Sequence, residues 1–413
     1  MYKAIVTELT NVRPHPNADR IKLATVKGEQ VVVGLGAKDG DIGIYFPTDG
    51  QLSTEYAEAN DLIGKYVEGK KVSGGFFSEK RRVRAQNFRG ERSDGYWAEA
   101  DTLVFTGSVP TEVGQEFDTW NGVPICNKYY TPKTLRSMRG GNKRKRRGET
   151  VMFKKHFDTK QFQYNMESIP ENSIITITEK IHGTSGRYGY VLEELPKKWY
   201  HRAFNLTPRK EWQYLMGSRN VILEHSSTPG YYDSDEFRYN AVVKLNGNLR
   251  KGEVVYFELV GYAGDRPIMP TVKTKSLPDI ARIYGDEMSY SYGCGVGECD
   301  LYVYRIAMIN EDGVSIDLTW EQVKQRCSEL GVKHVPELEN VRGWPVSSYT
   351  KVMEQQNLGA STIDNRHIRE GVCLRADYGA LEPMVLKHKS YDFKVLEGII
   401  KQDDDYVDME EVS

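Results

Sequence analysis

Short runs of β-branched and aromatic residues, broken by glycine, aspartate and proline, recur along this 413-residue chain. Within the first 130 residues they read AIVTEL, KLATV, QVVVGLG and DIGIYFP. Several short strands at close spacing are typical of a small barrel or sandwich. We therefore predict that the chain begins with a small β-barrel domain over residues 1–128.

This first domain carries two features that suit nucleic acid. The stretch His15–Ile21 resembles the entry of OB-fold domains that bind tRNA. A later run, RRVRAQNFRGERSDGYW, mixes arginines with aromatic residues, and single-stranded nucleic acid is bound by rings that stack on bases and cations that follow the backbone. The candidate RNA contacts in this run are Arg81, Arg82 and Arg84. The alternative, that the aromatic residues only fill the core, stays open.

Charge is unevenly distributed along the chain. The totals of 56 Lys plus Arg and 58 Asp plus Glu give a net charge of -2, which by itself argues against a general polyanion-binding protein. However, residues 133–147 carry eight basic residues and no acid, which favours contact with phosphates. We predict a basic linker over residues 129–150, with Lys143, Arg144 and Lys145 as further RNA contacts, and an acidic solvated tail over residues 401–413.

From residue 151 to residue 400 the pattern changes to a larger α+β domain. Strand-like runs read SIITITEK, EVVYFELVGY, LYVYRIAMI, GVCLRA and PMVLKHK. Between them TWEQVKQRCSELGV predicts a helix that begins after Thr319 and ends at Gly331. No segment has the roughly 18 apolar residues of a membrane span, and the five scattered cysteines fit a reducing compartment. We therefore expect a cytoplasmic location, in the host cytoplasm if a virus encodes the chain.

The strongest local signal is a lysine at the end of a strand-like run, Lys180, followed by His182 and Gly183. Lysine is a nucleophile only as the free amine, so a catalytic lysine needs nearby cations or desolvation. Lys387 and Lys389 alternate onto one face of a later strand and could supply those cations. Taken singly, each of these residues also has an ordinary interpretation as an exposed strand end or an ion-pair partner.

Two carboxylates lie inside or beside apolar runs, Glu258 in VVYFELVG and Glu370 just before GVCLR. A carboxylate in such a position is rare unless it is paired, bound to a metal or bound to a hydroxyl. Salt bridges are the ordinary alternative for both residues.

In their order along the chain, these features resemble the covalent nucleotidyltransferase superfamily of ATP-dependent ligases and capping enzymes. The nucleophile motif K-x-[DH]-G matches Lys180–Gly183, motif Ia matches Ser218–Asn220, motif III matches Tyr256–Gly261, motif IIIa matches Tyr302–Ile306, motif IV matches Glu370–Arg375 and motif V matches Leu386–Lys389. The EKIHGT sequence most resembles RNA ligases of the T4 RNA ligase 2 type, because DNA ligases and capping enzymes usually have Asp where His182 stands. The resemblance implies a ligase core of ATP-grasp-like antiparallel sheets after an N-terminal OB-fold domain.

The same resemblance implies roles for the individual residues. Lys180 would become the AMP-lysine, with Lys387, Lys389 and Glu370 as its catalytic partners. The residues implied in nucleotide binding are Glu179, His182, Gly183, Arg219, Glu258, Tyr304 and, as the second choice for stacking on adenine, Tyr302. Glu370, acting through water, and Glu258 are the implied contacts of Mg²⁺ or Mn²⁺. His182 cannot hydrate a metal as an aspartate would, so the metal arrangement beside Lys180 is left open.

The implied function is an ATP-dependent RNA ligase that joins a 3′-OH to a 5′-phosphate through lysyl-AMP and adenylated RNA, as in RNA repair. We expect ATP and RNA as its partners, no membrane, and a monomer. The alternatives are a DNA ligase, a GTP-dependent mRNA capping enzyme of the same superfamily, and an inactive RNA-binding module.

Overall fold

A computed structural model describes residues 2–67, 70–139, 147–195, 209–223, 236–275, 277–342, 346–404 and 406. The predicted contacts Lys143, Arg144 and Lys145 lie outside these residues, as does most of the predicted acidic tail. The chain forms two compact units, unit 1 from residues 1–135 with 391–406 and unit 2 from residues 136–390 with 407–413. Residues 391–406 therefore return to the unit that residues 1–135 form.

The described part of the chain contains α-helices and many short strands. The helices are α1 Thr54–Ala59, α2 Pro132–Arg139, α3 Phe162–Asn165, α4 Glu236–Ala241, α5 Pro278–Tyr284, α6 Trp320–Leu330, α7 Val346–Asn357 and α8 Tyr391–Ile400, with 3₁₀ turns at Ala100–Thr106 and Met166–Ser168. None of these helices has the length and apolarity needed to cross a membrane.

The strands of unit 1 are short and nearly all antiparallel. They are β1 Ala4–Glu8, β2 Thr10–His15, β3 Ala18–Val26, β4 Glu29–Gly34, β5 Ile42–Phe46, β6 Gly50–Leu52, β7 Gly64–Val67, β8 Lys70–Gly74, β9 Arg82–Val83, β10 Ala85–Phe88, β11 Glu91–Asp94, β12 Tyr96–Glu99, β13 Glu116–Phe117, β14 Thr119–Trp120, β15 Val123–Pro124 and β16 Cys126–Lys128.

These strands were expected to close into a small barrel, and in the described residues they do not. They form sheets of two to four strands, with β12-β5-β1-β13 the largest. Irregular registers between β2 and β3 interrupt the ladder where Pro14 cannot donate a backbone hydrogen bond. An apolar core that includes Ile44, Phe46 and Tyr56 packs beneath the sheets. The sequence pattern predicted the strands correctly, but it did not predict how they are arranged into sheets.

Helix α8 completes unit 1 from the far end of the chain. Lys394 on this helix places its Nζ 2.7 Å from Glu29 Oε1 and 2.6 Å from Asp94 Oδ2. Just after the helix, Lys401 is 2 % exposed and its Nζ lies 2.7 Å from Asp49 Oδ1. Because Lys394 and Lys401 pair their largely buried amines with carboxylates of unit 1, α8 is an integral part of that unit.

Unit 2 is built on two larger sheets. Its strands are β17 Lys160–Gln161, β18 Ile174–Lys180, β19 Thr184–Glu194, β20 Lys210–Ser218, β21 Ile222–Leu223, β22 Glu253–Ala263, β23 Arg266–Pro267, β24 Val272–Lys273, β25 Glu287–Met288, β26 Cys299–Ile309, β27 Ser315–Asp317, β28 Lys333–His334, β29 Glu337–Arg342, β30 Gly371–Asp377 and β31 Met384–Lys389. We call the sheet of order β17-β31-β30-β18-β29 sheet A and the sheet of order β21-β20-β19-β22-β26-β27 sheet B.

The turn Ile181–Gly183 joins the two sheets, since β18 belongs to sheet A and β19 to sheet B. The strand-like runs predicted from residue 173 onward are confirmed as β18, β22, β26, β30 and β31. Helix α6 is also confirmed, with a capping box at Thr319 and Gly331 in the left-handed conformation that ends it. The residues with candidate chemistry therefore lie on regular strands or directly beside them.

Candidate active site

Strand register brings the predicted lysines onto one face of sheet A. Lys180 lies opposite Gly371, which lies opposite Lys389 on the next strand. In the same way Cys373 lies opposite Lys387. Residues at positions separated by two share a face of a strand, so these side chains point to the same side of the sheet.

The opposite face of sheet A is apolar. Ile175, Ile177, Val372, Leu374 and Leu386 all lie in one buried cluster. Apolar and polar side chains alternate along these strands. Because the apolar ones fill the buried cluster, Lys180, Lys387 and Lys389 lie on the other face of sheet A. The hydrophobic effect that folds the sheet thus also presents the cations on its other face.

Glu370, directly before β30, is the centre of the charged cluster. Its Oε1 lies 2.7 Å from Lys180 Nζ and 3.6 Å from Lys389 Nζ. Its Oε2 lies 3.5 Å from His182 Nδ1. Burial by itself would raise the pKa of Glu370, but Lys180, His182 and Lys389 together hold that pKa below its ordinary value. The carboxylate is therefore ionised and holds the amine of Lys180 in one place.

Two glycines allow the backbones to approach closely here. A Cβ at Gly183 would collide with the backbone oxygen of Leu259 on β22. A Cβ at Gly371 would collide with the backbone oxygen of His388 on β31. The glycine of the nucleophile motif is thus required by the packing of the turn against sheet B.

Glu258 and Tyr304 lie on sheet B. Ser185 Oγ donates a hydrogen bond to Glu258 Oε2 at 2.9 Å, and Glu258 is 8 % exposed. A register shift between β22 and β26 pairs Tyr256 with Arg305 and Phe257 with Val303, so Tyr304 is the extra residue of a bulge. Burial, and then the charge of Glu258, raise the pKa of Tyr304 above its ordinary range. The bulge therefore turns Tyr304 toward the carboxylate.

Tyr302, the second choice for the stacking residue, pairs with Glu258 across the β22–β26 ladder, but its ring lies beside Lys333. Lys333 Nζ is 5.4 Å from the centre of its ring, and its side chain is 5 % exposed. Arg219 by contrast acts electrostatically on Tyr304, and its Nη2 lies 3.7 Å from Asp158 Oδ1. The geometry favours Tyr304 over Tyr302 as the aromatic neighbour of the charged groups.

Glu179 is adjacent to Lys180 in β18 and so points to the opposite face of sheet A. Its Oε2 accepts hydrogen bonds from the backbone N–H of Thr362 at 2.9 Å and from Thr362 Oγ1 at 2.6 Å. Arg369 Nε lies 3.6 Å from the same oxygen. The Glu179 side chain therefore fastens the segment that precedes Glu370 to β18.

Two further residues of this site were missed by the sequence analysis. The ring of His156 lies 5.0 Å from the ring of Tyr304, and burial followed by Arg305, Arg219 and Lys387 lowers the pKa of His156. Burial raises the pKa of the Cys373 thiol to about 11, although Lys180 and Lys387 oppose this rise. The alternation of β30 could have identified Cys373, whereas no sequence signal marks His156.

The predicted RNA contacts of unit 1 use their guanidinium groups within the unit. Arg81 Nε donates to the backbone oxygen of Leu52 at 3.1 Å, and Arg82 Nη1 donates to that of Gly398 at 2.8 Å. Burial lowers the pKa of Arg84. Contact of these arginines with RNA stays a prediction.

Within the described residues, no group of three or more His, Cys, Asp or Glu side chains could hold a metal ion by itself. Magnesium usually takes one or two carboxylates, and water and substrate phosphates complete its shell. Contact of Glu370 and Glu258 with a metal ion stays a prediction.

The chain matches a family model in sequence and several solved structures in fold. The family model described as RNA ligase matches residues 173–411. A search of curated protein sequences found no match.

Solved structures of an RNA ligase from Naegleria gruberi are similar in fold. A lysine-to-alanine variant with ATP and Mn gives a TM-score of 0.61 at 18% identity and covers 95% of this chain and 98% of that chain. A lysine-to-methionine variant with AMP and Mn gives 0.60 at 18% identity over 98% and 99% of the two chains. The structure with PPi gives 0.61 at 17% identity over 98% and 99%.

Proposed function

This chain belongs to the RNA ligase family, and on that premise we propose that it seals RNA ends with ATP through an AMP adduct on Lys180. The observation that carries the proposal is the placement of the Lys180 amine. It is held by Glu370 on a sheet face that also presents Lys387 and Lys389. A nucleophilic amine surrounded by cations suits attack on a phosphate.

In the first step the free amine of Lys180 attacks the α-phosphorus of ATP. A P–N bond forms, the bond to the β-phosphate oxygen breaks, and pyrophosphate leaves with the electron pair. The amine must first lose a proton, and Glu370 Oε1 at 2.7 Å is within reach of it.

In the second step a 5′-phosphate oxygen of the RNA attacks the same phosphorus, and the P–N bond to Lys180 breaks. In the third step the 3′-OH attacks the RNA phosphate, and AMP leaves. The strand is sealed by a phosphodiester bond, and the lysine is returned for the next cycle. RNA with 3′-OH and 5′-phosphate ends is thus the proposed substrate.

Lys387 and Lys389 would stabilise the charge that develops on the phosphate oxygens during these steps. Such cations act by being in place before the reaction, so they contribute electrostatic stabilisation and no proton transfer. Glu370, through water, and Glu258 would hold a divalent ion, which would add Lewis-acid stabilisation of the same charge. The Naegleria RNA ligase structures contain ATP or AMP together with Mn, which supports this choice of ligands.

The nucleotide would lie between sheets A and B of unit 2. Glu258 is placed to accept hydrogen bonds from ribose hydroxyls, and Tyr304 to contact the adenine ring. Arg219 would bind the ribose or the RNA end, and His182 and Gly183 would line the phosphates. We further propose that Glu179 recognises the amino group of adenine.

For unit 1 we propose RNA engagement by an OB-like domain, and for unit 2 a nucleotidyltransferase core. The exposed Arg89 lies beside the motif His15–Ile21, since Asn17 Nδ2 donates to its backbone oxygen at 2.9 Å. We expect the enzyme to act as a cytoplasmic monomer in RNA repair.

The test is covalent labelling. The protein is incubated with Mg²⁺ and ATP labelled at the α-phosphate, then denatured and separated by electrophoresis. Wild-type protein is expected to carry the label and Lys180→Ala to lose it, while Lys351→Ala, an exposed lysine on α7, keeps it. An unlabelled wild type, or a labelled Lys180→Ala, would overturn the mechanism. Labelling by GTP in place of ATP would favour a capping enzyme, and sealing of DNA ends alone a DNA ligase.

A further inference from the structure

A tyrosine outside every motif considered above reaches the turn that follows Lys180. The backbone N–H of His182 donates a hydrogen bond to the hydroxyl of Tyr292 at 2.7 Å. Tyr292 is 4 % exposed and comes from the Gly-, Tyr- and Ser-rich segment between α5 and β26. The nucleophile turn is therefore held by a side chain that is 110 residues away along the sequence.

The backbone around Tyr292 is unfavourable for a tyrosine. Tyr292 has φ 52° and the next residue, Gly293, has φ 84°. Cys294 N donates to the backbone oxygen of Ser291 at 3.0 Å, which closes a tight turn with both central residues left-handed. Glycine, asparagine or aspartate is the usual choice at such a position. Strain of this kind persists only where the surrounding structure fixes it, and it concentrates at functional sites.

Aromatic contacts connect Tyr292 to the segment that carries Glu370. The ring of His367 lies 4.5 Å from the ring of Tyr292 and 4.6 Å from that of Tyr290. The ring of Tyr290 in turn lies 4.9 Å from that of His182. Since His367 is only three residues before Glu370, one packed cluster contacts both the nucleophile turn and the base of the Glu370 segment.

The hydroxyl of Tyr292 remains protonated at ordinary pH. Burial raises the pKa of Tyr292 well above its ordinary value, although the hydrogen bond from His182 acts in the opposite direction. A neutral phenol still accepts one hydrogen bond through its oxygen, so this contact does not depend on ionisation.

We infer that Tyr292 is a positioning residue for the adenylation step: it fixes the turn Ile181–Gly183 and so holds the Lys180 amine in line with the α-phosphate. The inference rests on the proposed function of Lys180. Tyr292 acts through the backbone of the turn and contributes no contact to the nucleotide. It should therefore affect the rate of attack on ATP rather than the binding of ATP.

The test compares Tyr292→Phe with wild type and with Tyr188→Phe. Tyr188, on the strand β19 that follows the turn, is a matched control in the same unit, because its hydroxyl donates to Asn246 Oδ1 at 3.1 Å and not to the turn. The single-turnover rate of covalent labelling is measured against ATP concentration. We expect the maximal rate of Tyr292→Phe to fall by about tenfold to a hundredfold, as a misplaced reacting group does. Half-saturating ATP should change by less than about twofold, because the variant removes orientation and no contact to the nucleotide.

The outcomes separate this inference from the proposed function. If wild type takes no label, the proposed function fails. If wild type is labelled and Tyr292→Phe is labelled at the same maximal rate, the inference fails while the function stands. A rise in half-saturating ATP without a lower maximal rate would also overturn it.

A second measurement does not depend on how the variant folds. Backbone hydrogen exchange in the wild-type protein should show the His182 amide to be protected. Exchange as fast as that of an open turn would contradict the hydrogen bond on which the inference rests.

Discussion

Each unit of this protein buries a cluster of carboxylates and amines, and the two clusters have opposite stoichiometry. In unit 2 one carboxylate, Glu370, faces Lys180 and Lys389. In unit 1 two carboxylates, Glu29 and Asp94, share Lys394. All three carboxylates are at least nine-tenths buried. Burial is thus matched between the clusters, and the ratio of charges differs.

The ratio decides the sign of the pKa shift. The pKa of Glu370 is lowered despite its burial, because two amines and His182 surround it. Burial, and then the charge of Glu29, raise the pKa of Asp94 to about 7. An excess of amines keeps Glu370 ionised in unit 2. An excess of carboxylates makes the cluster that holds α8 in unit 1 sensitive to pH.

The largest effect is expected for Lys394→Met, which leaves Glu29 and Asp94 buried without their shared cation. Removal of one partner of a buried ion pair typically costs about 3–5 kcal/mol. Hydrogen exchange of the β4 and β12 amides would measure the loss within unit 1. The control is Lys3→Met, which removes an exposed pair with Glu116 at 3.8 Å and should cost less than about 1 kcal/mol. Equal costs for the two variants would contradict the comparison.

Glu370→Gln removes the carboxylate of the unit 2 cluster and should lower the rate of the reaction. The substitution keeps the size of the side chain and removes the charge that holds Lys180. We expect the rate of covalent labelling by ATP to fall about a hundredfold, which corresponds to about 2.7 kcal/mol. Single-turnover labelling measures it, with circular dichroism as the check on folding. A rate within twofold of wild type would refute the assigned role of Glu370.

The pH dependence of unit 1 should differ between wild type and Asp94→Asn. The pKa of Asp94 in the folded protein is about 7 against an ordinary value of 3.8, so the folded state binds the proton more tightly. Its contribution to the free energy of unfolding is therefore complete at low pH and is lost as pH rises toward 7. The loss between pH 5 and pH 7 is on the order of 2 kcal/mol. Urea denaturation at both pH values measures the difference, and a parallel loss in Asp94→Asn would exclude Asp94 as its cause.

The smallest effect on stability is expected for Lys389→Met. Lys180 and His182 still face Glu370 in this variant, so no buried carboxylate loses its last partner. The free energy of unfolding should change by less than about 1 kcal/mol, while sealing activity falls because a phosphate-binding cation is gone. Urea denaturation and a sealing assay on the same preparation test both statements. A stability loss as large as that of Lys394→Met would show that the stoichiometry of the cluster is unimportant.

The sequence could not indicate which unit α8 packs against. Its residues follow Lys389 directly, so the sequence assigned them to the second domain, whereas the contacts assign them to unit 1. An apolar helical pattern states that one face is buried, but not against which partner. Deletion of residues 1–128 would therefore also remove the packing partners of α8, which complicates any test of unit 1 by truncation.

The candidate site was largely predictable where it depends on alternation along single strands. Lys180, Lys387 and Lys389 share a face because strand periodicity places them there, and the motifs already ordered them along the chain. The proximity of Glu258 and Tyr304 could not be predicted from alternation alone, since a bulge in β26 interrupts the alternation between Tyr302 and Tyr304. No pattern in the sequence marks where a ladder acquires one extra residue.

The sequence by itself determined the local chemistry of this protein: which strands and helices form, and which strands carry Lys180, Lys387 and Lys389. These properties follow from side-chain periodicity and backbone preferences that act over a few residues. Only the tertiary structure decided that Glu370 faces two amines while Asp94 shares one, and that Tyr292 reaches the nucleophile turn. Contacts between distant segments depend on how the sheets pack, and the energy of a buried charge depends on every group that packing brings within a few ångströms of it.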